Sequence, residues 1–162
     1  MNFNEYFEYR NGELYWKKTT SFRIKVGQKA GYKRKDGYSF VRLNKKHYGV
    51  HQIIFAIYYK YIPKEVDHID NNPSNNCIEN LRAATRSQNA INQPLTLKNN
   101  SGIKGVSWHK QAKKWMVQLF VNKQYKYLGL YDDIELAEFV SIEARNKYHG
   151  EFVNFSRKAQ LI

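Results

Sequence analysis

Hydrophobic and polar positions change period several times along the 162 residues, and the changes mark out elements. Up to Val50, apolar and aromatic residues come in short bursts at 6–9, 13–17, 37–43 and 47–50, separated by Asn11-Gly12, Asp36-Gly37 and Asn44-Lys45-Lys46. Such bursts between Asn-Gly or Asp-Gly pairs predict short antiparallel strands joined by hairpin turns. Ile53, Ile54, Ile57, Tyr58 and Tyr61 then recur at helical spacing. They predict a helix over 50–61 that ends before Pro63 and packs under the next segment. His51 opens it, where a histidine more often caps or packs than ligates.

The next segment reads as a strand at 66–69, an asparagine-rich loop at 70–77, a returning strand at 81–84, and a short helix to Asn92. Thr85 or Ser87 caps that helix and Pro94 helps to stop it. Residues 95–101 are polar and form a linker. Beyond them, three strands are predicted at 103–109, 114–121 and 125–131. In the middle one Trp115, Val117, Leu119 and Val121 alternate with Met116, Gln118 and Phe120. Asp132 or Asp133 caps a helix to about His149, ended by Gly150, with Leu136, Ala137, Val140, Ala144 and Tyr148 as its buried stripe. The class is α+β in two parts, 1–97 and 98–162.

Composition narrows the function. The lone Cys77 excludes an internal disulfide and a multi-cysteine zinc site. No apolar run is long enough to span a bilayer, and residues 1–5 are not a secretory leader, so a cytoplasmic protein without membrane attachment is expected. Charge is unevenly placed: 13 Lys/Arg against 4 Asp/Glu in residues 1–60, 3 against 4 in 61–97, and 11 against 6 in 98–162. Two basic flanks around a near-neutral centre suit a polyanion held across that centre, with nucleic acid the leading candidate.

The centre concentrates acid, imidazole and amide side chains without intervening lysines. Phosphodiester hydrolysis needs an activated water and a hard cation held by few protein oxygens. Asp67 offers an anionic ligand and the amide oxygen of Asn89 a second. His68 points to the other side of the strand, and its ordinary pKa near ~6.5 suits a general base. Asn80 is better placed to tie the loop than to touch metal. The bland alternative is a polar loop, since asparagine-rich turns of this kind need no other function.

Asp67-His68-Ile69-Asp70, Asn75-Asn76, Glu79-Asn80-Leu81-Arg82 and Arg86-Ser87-Gln88-Asn89-Ala90 resemble the HNH endonucleases, in the subgroup common among phage and intron homing enzymes. The resemblance runs from about Val50 to Gln93. It implies a ββα-metal fold holding one divalent cation (Mg²⁺ or Mn²⁺), with His68 as general base, Asp67 and Asn89 on the metal, and Asn80 ordering the loop. The last position is asparagine where the family name has histidine, which the homing subgroup accepts.

Lys104-Gly105-Val106-Ser107-Trp108, Lys114-Trp115, Tyr127-Leu128-Gly129-Leu130-Tyr131 and Lys147-Tyr148-His149-Gly150 resemble the Apetala-two DNA-binding domain of plant ethylene-response factors. That resemblance implies a three-stranded antiparallel sheet packed on one helix. It places Lys104, Ser107, His109, Gln118, Phe120, Tyr125 and Tyr127 on the DNA side. Several family arginines are replaced here, by Ser107, Phe120 and Tyr125, so the target differs from the plant one. Gln118 suits adenine, and Phe120 a thymine methyl.

Together these readings describe a metal-dependent, homing-type endonuclease of double-stranded DNA, a phage-encoded hydrolase acting in the host cytoplasm. It would be a monomer or weak dimer with no obligate protein partner. The alternative is a sequence-specific DNA-binding regulator with an inactive nuclease module.

Overall fold

The computed structural model describes residues 2–96 and 98–154. The first strands are β1 (Phe7–Arg10), β2 (Glu13–Trp16), β3 (Lys29–Ala30), β4 (Tyr32–Lys33), β5 (Ser39–Leu43) and β6 (Lys46–Gly49). Helix α1 (Val50–Tyr59) follows, then β7 (Glu65–His68), β8 (Leu81–Ala84) and α2 (Arg86–Asn92). The chain continues with β9 (Val106–His109), β10 (Lys114–Val121), β11 (Gln124–Tyr131) and α3 (Ile134–His149). The architecture is mixed α/β, with small antiparallel sheets ordered β1-β2-β3, β4-β5-β6, β7-β8 and β11-β10-β9. Contacts divide the chain into two compact units, Met1–Asn89 and Ala90–Ile162, with the division inside α2. Among the described residues no helix is long and apolar enough to cross a membrane.

In the first unit, the β1–β2 hairpin turns through Asn11 and Gly12, both at positive φ, as a two-residue primed turn requires. It points Phe7, Leu14 and Trp16 inward. Val41 and Leu43 of β5, Ile53 and Ile54 of α1, and Val66 and Leu81 of β7–β8 meet them in one core. Each fully buried side chain of this kind contributes about 1.5–3 kcal/mol, so α1 is held mainly by its Val50, Ile53 and Ile54 stripe. The helix stops at Tyr59 because Lys60 adopts a left-handed C-cap. Tyr58 and Tyr61, expected within the buried stripe, are instead 60% and 51% exposed. Strands β3 and β4 are two residues each, too short to leave a periodic signal.

In the second unit, Val106, Val117 and Ala137 form the buried core, with Trp115, Leu128, Tyr131 and Val140 packed around it. The first strand of this sheet starts at Val106 rather than Ile103, because a turn intervenes in which the Val106 amide donates to the Ile103 carbonyl. Asp133, not Asp132, caps α3: its side chain accepts from the Glu135 amide. The buried stripe of α3 is Ala137, Ser141, Ala144 and Arg145, and Leu136 is exposed. Two polar residues enter the stripe because each has a backbone partner. The Ser141 hydroxyl donates to the Lys104 carbonyl at 2.5 Å, and the Arg145 guanidinium to the Asn154 carbonyl.

The β10–β11 pairing carries a bulge. Val117 faces Gly129 but Gln118 faces Tyr127, leaving Leu128 as the extra residue. Gly129 has φ near +129°, and a Cβ there would lie 2.8 Å from the Tyr131 hydroxyl oxygen. Strict alternation from Tyr131, which pairs with Trp115 on the core side, would put Tyr127 and Tyr125 in the core. The bulge turns both to the open face.

Candidate active site

One face of β7 is ionic. The period of two along a strand puts Glu65 and Asp67 on the same side, and antiparallel register sets Arg82 of β8 opposite Asp67. The Arg82 guanidinium donates to Asp67 Oδ2 from Nε at 2.9 Å and from Nη2 at 2.8 Å. The Asp67 side chain is only 3% exposed, so its charge would be costly to leave uncompensated. Helix α2 begins directly after β8 through a capping box: the Gln88 amide donates to Thr85 Oγ1 at 3.3 Å, and the Thr85 amide to Gln88 Oε1 at 2.8 Å. Thr85, rather than Ser87, is thus the cap. The box brings Asn89 to this face, where its Nδ2 donates to Glu65 Oε2 at 2.8 Å.

The other face is aromatic. His68 is buried, with Nε2 3.1 Å from Asn76 Oδ1. Its ring lies 5.1 Å from that of His51 and 5.7 Å from that of Tyr38. Burial, and then the neighbouring His68, push His51 down to about 4, so it is a neutral imidazole near pH 7. Burial, then Asp36, Asp67 and Glu65, raise the Tyr38 phenol above its ordinary value. The turn before β5 holds Tyr38 in place: Ser74 Oγ donates to the Gly37 carbonyl at 3.1 Å. A Cβ on Gly37, which has φ near +88°, would meet Pro73 at 2.8 Å.

The loop between β7 and β8 is organised by Asn80. Its Oδ1 accepts from the Asp70 amide at 3.0 Å, and its Nδ2 donates to Asp70 Oδ1 at 2.9 Å and to the Asn75 carbonyl at 2.8 Å. Its carbonyl accepts from the Ile69 amide. Desolvation works to raise the Asp70 carboxyl. The hydrogen bonds from Asn75, the Asn72 amide and Asn80 together outweigh it and hold the group below its ordinary value. Asp70 is thereby a strut of the loop.

Residues 48–91 match the family model of the HNH endonucleases. Protein 3.8 of Escherichia phage T7 is 33% identical over 96 residues, covering 58% of this chain and 78% of that protein. No solved structure matches. The chain belongs to the family of phage T7 Protein 3.8 and carries an HNH endonuclease domain.

The HNH match encloses both faces of β7 and contains Asp67, His68, Asn80 and Asn89. Reading the sequence missed four participants: Glu65, Arg82, Tyr38 and Asn76. The period of two would have found Glu65 from Asp67. Arg82 needed the strand register, Asn76 the closed loop, and Tyr38 a contact across thirty positions of sequence.

HNH nucleases generally use a divalent metal ion. Among the described residues no group of three or more His, Cys, Asp or Glu side chains comes together to hold one. The donors of the ionic face are nonetheless hard oxygens, a carboxylate from Asp67 and an amide from Asn89. They are few, and such a set fits a cation that keeps its other positions for water and phosphate. Arg82 meanwhile balances the Asp67 charge.

The HNH match ends at residue 91, short of the C-terminal sheet. Paired residues of antiparallel strands share a face. The pairs His109–Lys114, Ser107–Met116, Gln118–Tyr127 and Phe120–Tyr125 therefore bring Ser107, His109, Gln118, Phe120, Tyr125 and Tyr127 to one side of the sheet. Phe120, Tyr125 and Tyr127 are exposed there, and His109 Nδ1 accepts from the Ala112 amide at 3.1 Å. Lys104 lies apart from them. Its ammonium donates to the carbonyls of Ile91 and Gln93, and desolvation, then Arg145, lowers it to about 8.

Proposed function

We propose that the protein is a metal-dependent endonuclease that hydrolyses phosphodiester bonds in double-stranded DNA. Within the stretch matched by the HNH family, the fold brings Asn89 to the face of β7 that bears Asp67, and this observation carries the reading. In this proposal β7, β8 and α2 form the ββα-metal arrangement, and Asp67 and Asn89 hold one Mg²⁺ or Mn²⁺. When bound, such a cation polarises the scissile phosphate and stabilises the leaving oxygen. His68, oriented by Asn76 and flanked by the neutral His51, takes the proton from the attacking water. Asn80 keeps the loop closed behind it.

Residues 98–162 act as the DNA reader in the Apetala-two manner, with Ser107, His109, Gln118, Phe120, Tyr125 and Tyr127 towards the bases. Lys104 belongs to the same proposal as a contact on the DNA side, and it must leave the Ile91 and Gln93 carbonyls to make one. The basic flanks grip phosphates, so affinity falls steeply with salt. The phage relative supports action in a bacterial host's cytoplasm.

One observation favours a second reading, a DNA-binding regulator without turnover: His68 is buried beneath Tyr38, and Asp67 is already paired with Arg82. Incubating supercoiled and linear DNA with the protein in Mg²⁺, in Mn²⁺ and in EDTA separates the two. Nicking or cutting that needs the cation and disappears in Asp67→Ala and His68→Ala supports the nuclease. Specific binding without cation-dependent cleavage selects the regulator. For the reader, Gln118→Ala should reduce discrimination between sites by about 1–3 kcal/mol while changing non-specific affinity little; equal weakening on all sequences would remove Gln118 from the base-contacting face.

A further inference from the structure

We propose that Glu65 is a positioning residue for the metal site: it sets which end of the Asn89 amide faces the cation. The inference rests on the proposed role of Asn89 and adds a residue that the HNH motif does not include. Asn89 has two nearly isosteric ends, an oxygen that can bind a cation and an NH₂ that cannot. An asparagine ligand without a second partner would sample both orientations, so some partner has to choose between them.

Glu65 makes that choice by its chemistry. An ionised carboxylate only accepts hydrogen bonds. The 2.8 Å contact between Glu65 Oε2 and Asn89 therefore presents the NH₂ to Glu65 and turns the oxygen the other way. Two features keep the partners in register. Glu65 is the first residue of β7 and shares the face of Asp67, and the Thr85–Gln88 capping box fixes where α2 begins. Ala84 pairs with Glu65 across the sheet, so no large side chain stands between the carboxylate and the helix. With Oε2 engaged by Asn89, the carboxylate acts through the amide.

The test uses the full-length protein and Mn²⁺ as probe, with binding followed by electron paramagnetic resonance in the absence of DNA. Glu65→Ala should weaken Mn²⁺ binding by about 10- to 100-fold, the usual effect of removing a partner behind a metal ligand. Glu65→Gln offers an amide that both donates and accepts, so it selects the Asn89 orientation only in part and should weaken Mn²⁺ binding less than Glu65→Ala does. The double variant Glu65→Ala/Asn89→Ala should bind no more weakly than Asn89→Ala alone. The Asn89 side-chain amide, followed by nitrogen-15 NMR without metal, should show slowed hydrogen exchange that Glu65→Ala removes.

Wild-type Mn²⁺ affinity in Glu65→Ala overturns the assignment and leaves the metal reading of Asn89 intact. Equal losses in Glu65→Gln and Glu65→Ala also overturn it, because Glu65 would then act by charge as a ligand itself. A protected Asn89 amide in a wild-type protein that takes up no Mn²⁺ overturns the metal reading and this inference with it.

Discussion

On one side of β7, Asp67 is paired with Arg82 and Asn89 hangs from Glu65. On the other, a few ångströms away through the same strand, His68 sits among His51, Tyr38 and Asn76. The first side gathers charge and compensates it. The second is lined by rings and holds them by packing and one amide. A strand is well suited to this division, because adjacent residues point to opposite faces and two incompatible environments can be built one residue apart. A cation needs dense oxygen charge, whereas a general base has to be free of its proton near neutral pH.

Removing His68, the proposed base, tests the division most severely. His68→Ala should lower cation-dependent cleavage by about 100- to 10,000-fold and leave Mn²⁺ affinity unchanged, while Asp67→Ala removes both. Loss of Mn²⁺ binding in His68→Ala would mean that the two sides are not separate.

Arg82→Ala addresses the charged side. It removes the guanidinium that faces the buried Asp67 carboxylate, which should cost about 3–5 kcal/mol of stability in metal-free urea unfolding. A saturating divalent cation should restore part of that loss by supplying the missing positive charge. If Mg²⁺ restores nothing, the carboxylate is not available to metal.

His51 probes the aromatic side. Its folded value near 4 lies below its ordinary 6.5, so the folded protein resists the proton. The stability this provides is complete above pH 6.5 and is lost as pH falls towards 4, up to about 3 kcal/mol. His51→Phe should flatten denaturation midpoints measured between pH 7 and pH 4.5. An unchanged pH profile in the variant would show that His51 does not carry the effect.

Tyr38→Ala should have the smallest consequence, a several-fold faster modification of His68 by diethylpyrocarbonate, located by mass spectrometry. No change in that rate would mean that Tyr38 does not shield the imidazole.

Much of this arrangement was legible in the sequence. The strand, loop, strand, helix order was readable because each element has local punctuation: Pro63 before it, the asparagines within it, Thr85 and Pro94 at the ends of the helix. Asp67, His68, Asn80 and Asn89 stood out because unlike polar types cluster there without lysine. Side-chain partners were harder to see. Arg82 finds Asp67 only through strand register, and Tyr38 reaches His68 only because the hairpin before β5 folds back onto the 70–76 loop. The stripe of α3 was misjudged at Leu136 because hydropathy cannot anticipate that Ser141 and Arg145 will find carbonyls indoors.

The extra residue at Leu128 makes the C-terminal sheet discontinuous in an evolutionary sense. Substitutions at Tyr125 or Tyr127 adjust the open face by degrees. Loss of the single codon for Leu128 would instead exchange inside for outside along the first half of β11, burying two tyrosines and expelling their neighbours. Such a sheet can drift in what it touches through point changes, but every insertion or deletion at that position is all or nothing. Variation on this face is therefore expected to accumulate by replacement, at fixed length.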